Sequence, residues 1–167
     1  MPFELLSKSL IVPAVIPVAD AFSGGVVTEA VSLRDYSRAA LIIQTGAIED
    51  AGISNLITLQ ACTAADGTGA TAIAFRSRTL LYSTTVDAWG ALTDRASTGY
   101  NFAVANAVAN ACWYLEVTAA EMEAGLAGST FLRASIAETA NKTITAAGLW
   151  ILTGPRYPQA IPAGAIS

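Results

Sequence analysis

From Val26 onward the chain is a succession of short β-branched and aromatic runs separated by Gly, Asn, Asp, Ser and Thr. That punctuation constrains the fold more than any other feature. Short runs with period-two alternation are strands, and many of them at close spacing specify an all-β sandwich or barrel. Helical periodicity is almost absent. The clearest strand is Cys112 to Thr118, where Trp113, Leu115 and Val117 alternate with Tyr114, Glu116 and Thr118, so one side meets a core and the other faces out. In Ser129 to Glu138, Leu132, Ala134 and Ile136 oppose Phe131, Arg133 and Ser135 in the same way. Arg38 to Thr45, Leu56 to Thr63, Thr71 to Phe75, Thr79 to Ser83, Tyr100 to Val104 and Thr143 to Leu152 complete the set, with Val26 to Leu33 as a further candidate. The expected fold is all-β, a jelly-roll-like β-sandwich of about eight strands in two packed sheets.

Two connections carry signals of their own. Between the Leu56 and Thr71 runs lies AADGTGA, whose Asp66-Gly67 and Gly69 can take positive φ and turn the chain, which reads as a hairpin with a longer loop. The loop lacks the Lys, the following helix and the spacing of a phosphate-cradling loop. Thr118-Ala-Ala-Glu121 is a capping box, in which the Thr hydroxyl and the Glu carboxylate satisfy exposed amides, and it predicts one or two turns of helix before Gly125.

The ends differ from the middle. Residues 1–25 carry Pro13, Pro17 and Gly24-Gly25 among Leu, Ile and Val, and residues 154–167 read GPRYPQAIPAGAIS. Neither is a central strand, because proline has no amide hydrogen to give a ladder. The expected plan is therefore an apolar amino-terminal arm (1–25), a sandwich domain (26–153) and a carboxyl-terminal arm (154–167). Disordered tails are polar, whereas these arms are not. They lie either on a neighbouring subunit or back over their own sandwich. Phe3, Leu5, Leu6, Ile11 and Val12 in the first arm, and Arg156, Tyr157 and Ile161 in the second, are the expected contact residues. LIVPAVIPVA before Ala19-Asp20-Ala21 imitates a cleavable leader, but Glu4, a single Lys8 and the two prolines argue against that reading.

Composition says what surface such a fold must present. Asp, Glu, Lys and Arg make up 13% of the 167 residues, about half the usual share of roughly 25%. Apolar residues make up 53%, and mean hydropathy is +0.50. One small core cannot hide that much nonpolar side chain, so part of it is expected to meet other protein. A net charge of −4 and a pI near 4.6 give no basic footprint for direct nucleic-acid binding. No run reaches the roughly 20 apolar residues of a membrane span.

Chemistry is poorly supplied. There is no histidine, which removes Ser-His-Asp and Cys-His nucleophiles and leaves perturbed carboxylates or lysines as bases. Glu49-Asp50 and the pair Glu121 and Glu123 are the only paired carboxylates of interest, and both read first as solvated loop charges. Cys62 and Cys112 each sit in an apolar strand-like run and read as buried free thiols; without histidine they form no structural zinc set. Of three tryptophans, Trp113 and Trp150 fall on core positions and Trp89, in VDAWGALTD, is the one expected to be exposed, where it could serve a sugar platform. Arg34, Asp35 and Arg38 around Tyr36 form a charged patch at a strand start, worth little if solvated. No catalytic residue, metal ligand or cofactor is expected.

Four segments in order, EAVSLRDYSRAALIIQTGA, ITLQACTAADGTGATAIAF, WYLEVTAAEM and LWILTGPRYP, resemble a family of small virion proteins of tailed bacteriophages, the capsid decoration or cement proteins. The resemblance covers most of residues 29–157. It implies a β-sandwich subunit on the outside of the virion head that clamps neighbouring copies of the major capsid protein, commonly as a homotrimer. A tail-tube, connector or head-fibre subunit would have a similar composition. From other classes, a glycan-binding β-sandwich or a carboxylate-dependent hydrolase stands as the alternative.

Overall fold

The computed structural model describes residues 8–48, 52–82, 88–104, 110–140 and 142–156. Strands β1 (Ser9–Val18), β4 (Tyr36–Thr45), β7 (Phe75–Tyr82), β8 (Thr93–Arg95), β10 (Asn110–Thr118) and β12 (Ala146–Pro155) form sheet A, in the order β1-β12-β4-β10-β7-β8. Strands β2 (Val26–Val27), β3 (Val31–Ser32), β5 (Ile53–Cys62), β6 (Thr71–Ile73), β9 (Tyr100–Val104) and β11 (Phe131–Glu138) form sheet B. There β11 is flanked by β2 and β3 on one side and β5 on the other, and β5 in turn carries β6 and β9. All these pairings are antiparallel, and eight of the strands have five or more residues. The molecule is an all-β sandwich with one short helix among the described residues.

Alternation puts the core where the sequence places it. Trp113, Leu115 and Val117 of β10, Leu132, Ala134 and Ile136 of β11, and Trp150 of β12 are all essentially buried. Aromatic rings join the layers: Phe102 of β9 lies 4.6 Å from Trp113 of β10, centroid to centroid, and 5.6 Å edge-on from Phe22. The expected strands Thr71 to Phe75 and Thr79 to Ser83 are divided differently, because the chain leaves sheet B after Ile73 and enters sheet A at Phe75. The Val26 to Leu33 candidate becomes two short strands on β11. Between them Thr28 donates its amide to the Ala134 carbonyl at 2.9 Å, and its hydroxyl accepts the Ala134 amide at 3.0 Å, a side chain standing in for a ladder group.

The hairpin and the helix follow their local signals. β5 and β6 pair around the Thr63 to Ala70 loop, with positive φ at Gly67 and Gly69, while the Asp66 carboxylate accepts the Thr68 amide at 2.8 Å. Helix α1 (Ala119–Gly125) starts on the capping box: Thr118 Oγ1 accepts the Glu121 amide at 3.1 Å and Glu121 Oε2 accepts the Thr118 amide at 2.7 Å.

The segment expected as an amino-terminal arm contributes β1, the outermost strand of sheet A. It zips onto β12 from Ser9↔Thr153 to Val18↔Ala146, with register shifts between Pro13 and Val18. Val12 and Val15 turn into the core. Val15 packs over Gly148, where an added Cβ would stand 3.2 Å from Val15 Cγ2. Pro13 and Pro17 are tolerated because an edge strand needs only one ladder. At the other end β12 runs on to Pro155, beyond the expected strand limit at Leu152.

Candidate assembly surface

The two sheets present different outer sides. On sheet B the outward positions mix satisfied polar groups with apolar ones: Arg133 Nε donates to Gln60 Oε1 at 2.8 Å, Thr58 Oγ1 to the Ser135 carbonyl at 3.4 Å, and Ser54 Oγ to Asn101 Oδ1 at 2.9 Å, while Leu56, Ala137 and Val27 share that side. This is the ordinary outer face of a sandwich.

On sheet A the outward apolar residues gather on one half, that of β1, β12 and β4. The register aligns two rows of outward residues across five strands: Ile11–Ile151–Ala40–Glu116–Arg76 and Pro13–Leu149–Ile42–Tyr114–Arg78. The β1, β12 and β4 half of each row is wholly apolar, with Ile11 39% and Leu149 44% exposed. The β10 and β7 half is charged and aromatic. There the Arg78 guanidinium lies 4.8 Å from the Trp89 ring centroid and 5.0 Å from that of Tyr114, and Trp89 meets Tyr114 edge-on at 6.4 Å. Tyr114 donates to Glu116 Oε2 at 2.7 Å. Burial, then this hydrogen bond and the Glu116 charge, push its phenol up to about 12. Arg76 reaches Glu116 at 3.5 Å and Glu121 at 3.3 Å. Trp, Tyr and Arg are the residues in which interface anchors are enriched.

A second apolar feature shares β1. A groove of 510 Å³ runs between the open edges of the two sheets, lined by Pro13 to Ile16 and Val18 of β1, Ala21, Val26 and Val27 of β2, and Glu29. Ile16 is 73%, Val18 49% and Val27 56% exposed beside it.

Among the expected contact residues, Ile11 stands on the outer face of sheet A, Val12 is buried in its own core, and Arg156 is exposed with its amide donating to the Asp35 carbonyl at 2.9 Å. Phe3, Leu5, Leu6, Tyr157 and Ile161 lie outside the described residues, as does the Glu49-Asp50 pair. The outer side of sheet A is built in part from residues the sequence did not single out, Leu149, Ile42, Ile151 and Arg78. Their signal was present as alternation: Leu149 and Ile151 flank the core Trp150, and Arg76 and Arg78 flank the buried Ser77.

Candidate chemical groups have local structural work. Glu121 closes the capping box and pairs with Arg76, while Glu123 Oε1 accepts the Gly128 amide at 2.9 Å. Cys62 and Cys112 are free and buried, and burial raises both thiols, with Arg133 partly offsetting it at Cys62. Tyr36 at the Arg34, Asp35 and Arg38 patch is buried, and Arg34 and Arg38 are exposed. Among the described residues no three His, Cys, Asp or Glu side chains converge as a metal site, and no helix is long and apolar enough to cross a membrane.

No protein-family model matches the sequence, and no curated protein matches it. Among solved structures, the SPBc2 prophage-derived protein YomS is similar at 11% identity over 86% of this chain and 93% of that one, with a TM-score of 0.44. Infectious bursal virus-derived T=1 particles show 12% identity over 89% of this chain and 40% of theirs, with a TM-score of 0.26. The infectious bursal disease virus VP2 subviral particle shows 12% identity over 89% and 42%, with a TM-score of 0.25. At such identities and TM-scores these likenesses assign no function.

Proposed function

We propose that this chain is a non-enzymatic virion structural protein, a cement or decoration subunit that binds the assembled capsid shell of a tailed phage. The observation that supports this reading is the contiguous apolar half-face of sheet A formed by β1, β12 and β4, with Ile11 and Leu149 exposed on it. A face of that kind is a protein contact, since it would otherwise be an aggregation liability. The segment resemblance to phage decoration proteins supplies the partner, the major capsid protein, the outer surface of the virion as the location, and the homotrimer as the working unit. Binding the assembled lattice and not its separate parts would stabilise the shell by mass action, and many modest contacts would add through multivalency.

Electron microscopy of purified particles tests the reading. Density for this chain in clusters at threefold and quasi-threefold positions of the head supports it. A sixfold or twelvefold ring at the tail or connector would assign the chain to a different virion component.

A further inference from the structure

Six buried side-chain nitrogen and oxygen atoms among the described residues have no hydrogen-bond partner, and they divide by place. The three nitrogens belong to sheet A, on Arg76 and Arg78 of β7 and Trp150 of β12. The three oxygens, Asp20 Oδ1, Asn55 Oδ1 and Glu138 Oε1, belong to one end of sheet B and the turn that closes it. Asn55 and Glu138 are register partners in the β5–β11 pair, at positions that continue the buried rows of Ile57 and Ile136, so both side chains point inward. Asn55 is only 2% exposed.

The turn after β1 folds over this pair. Its Gly24 amide donates to the other Glu138 oxygen, Oε2, at 3.0 Å, and its Phe22 ring lies edge-on to Phe102, the register partner of Asn55 on β9. Asp20 opens the turn, its carbonyl accepting the Ser23 amide at 3.2 Å. Buried acceptors without donors cost free energy, carboxylates most of all. The ion pairs between described residues both use Arg76, and neither reaches Asp20 or Glu138. A water brings two hydrogens to three acceptors, whereas one cation can meet all three. Two carboxylates and an amide carbonyl, with no nitrogen or sulfur ligand among them, are the donor set of a hard cation, and mixed charged and neutral oxygens suit calcium.

We infer that Asp20, Asn55 and Glu138 bind a calcium ion through these three oxygens, which pins the turn after β1 to the end of sheet B. The inference is independent of the capsid reading and is tested on the protein alone.

Isothermal titration calorimetry with calcium chloride on the full chain, first stripped with a chelator, reads the binding; thermal unfolding in calcium and in chelator reads its consequence. Saturable binding of one ion per chain, with a melting temperature that rises with calcium, is the expected result. Glu138→Gln and Asp20→Asn each remove a charged ligand at nearly constant volume and should weaken binding about tenfold or more, while melting in chelator close to the unsubstituted protein. Glutamine at 138 can still accept the Gly24 amide, and Asp20 lies in a partly exposed turn, so the two variants put the fold at risk in different ways. No saturable heat, with the same melting temperature in calcium and in chelator, would overturn the inference. So would binding that both variants retain undiminished, which would place the ion on other carboxylates.

Discussion

Leu149 stands opposite Ile42 in the β12–β4 pair on the outer side of sheet A, while the next residue, Trp150, stands opposite Leu41 and is fully buried. Two adjacent large apolar residues thus serve opposite surfaces. Trp150→Ala should cost about 3–5 kcal/mol, the price of an aromatic removed from a packed core. Leu149→Thr should stay within about 0.5 kcal/mol when measured below the concentration at which the protein associates. Urea unfolding of both variants checks this, and a Leu149→Thr loss comparable to that of Trp150→Ala would place Leu149 in the core.

The capping box makes stability depend on acid. Burial pushes the Glu121 carboxyl up, but hydrogen bonds from the Thr118 amide and hydroxyl, with Arg76, outweigh it and hold the group below its ordinary value of 4.5. A lowered carboxyl stabilises the fold above its unfolded value, and that contribution is lost as pH falls through the folded value. Stability should therefore decline below about pH 4.5, and Glu121→Gln should flatten the decline. Thr118→Ala should cost about 1 kcal/mol near neutral pH. Urea midpoints of all three proteins across the acid range decide the matter; parallel pH curves would contradict it.

Gly99 has positive φ at +98°, and an added Cβ would stand 2.7 Å from both the Ile57 carbonyl oxygen and Thr58 Cγ2. Gly24, at +69°, has nothing within 4 Å of that position. Left-handed backbone alone costs an L-residue roughly 1–2 kcal/mol. Gly24→Ala should lose about that much and Gly99→Ala clearly more, because β5 backbone must also shift. Equal losses in thermal unfolding would show that the strand gives way freely.

Both thiols should be inert in the folded protein, since only the thiolate reacts and burial raises each group. Alkylation near neutral pH should leave Cys62 and Cys112 unmodified until a denaturant is added, and then label both, as read by intact mass. Fast labelling of either in native buffer would contradict the packing around β5 or β10.

How much of this was legible follows from what alternation can and cannot carry. β10 and β11 were readable because each has one core side and one outer side, so period two shows in the residues themselves. β1 was obscured by Pro13 and Pro17 and by its register shifts, which place Val12 and Val15 inward at a spacing of three. The outer side of sheet A was hidden for a different reason: Leu149, Ile42 and Ile11 are far apart in sequence, and only register makes them neighbours. Composition announced that a buried-looking surface must exist, and strand order located it. Trp89 was expected to be exposed and is, at 39%, yet its partners Arg78 and Tyr114 come from two other segments that no local motif connects.

The proposed role makes a finished shell the partner of this sandwich. The most direct test is to incubate the purified protein with capsids lacking it and follow co-sedimentation and shell melting. Saturable uptake with a higher shell melting temperature, both lost in Leu149→Glu, is the predicted result. Shells that take up none of the protein and melt unchanged would contradict the claim.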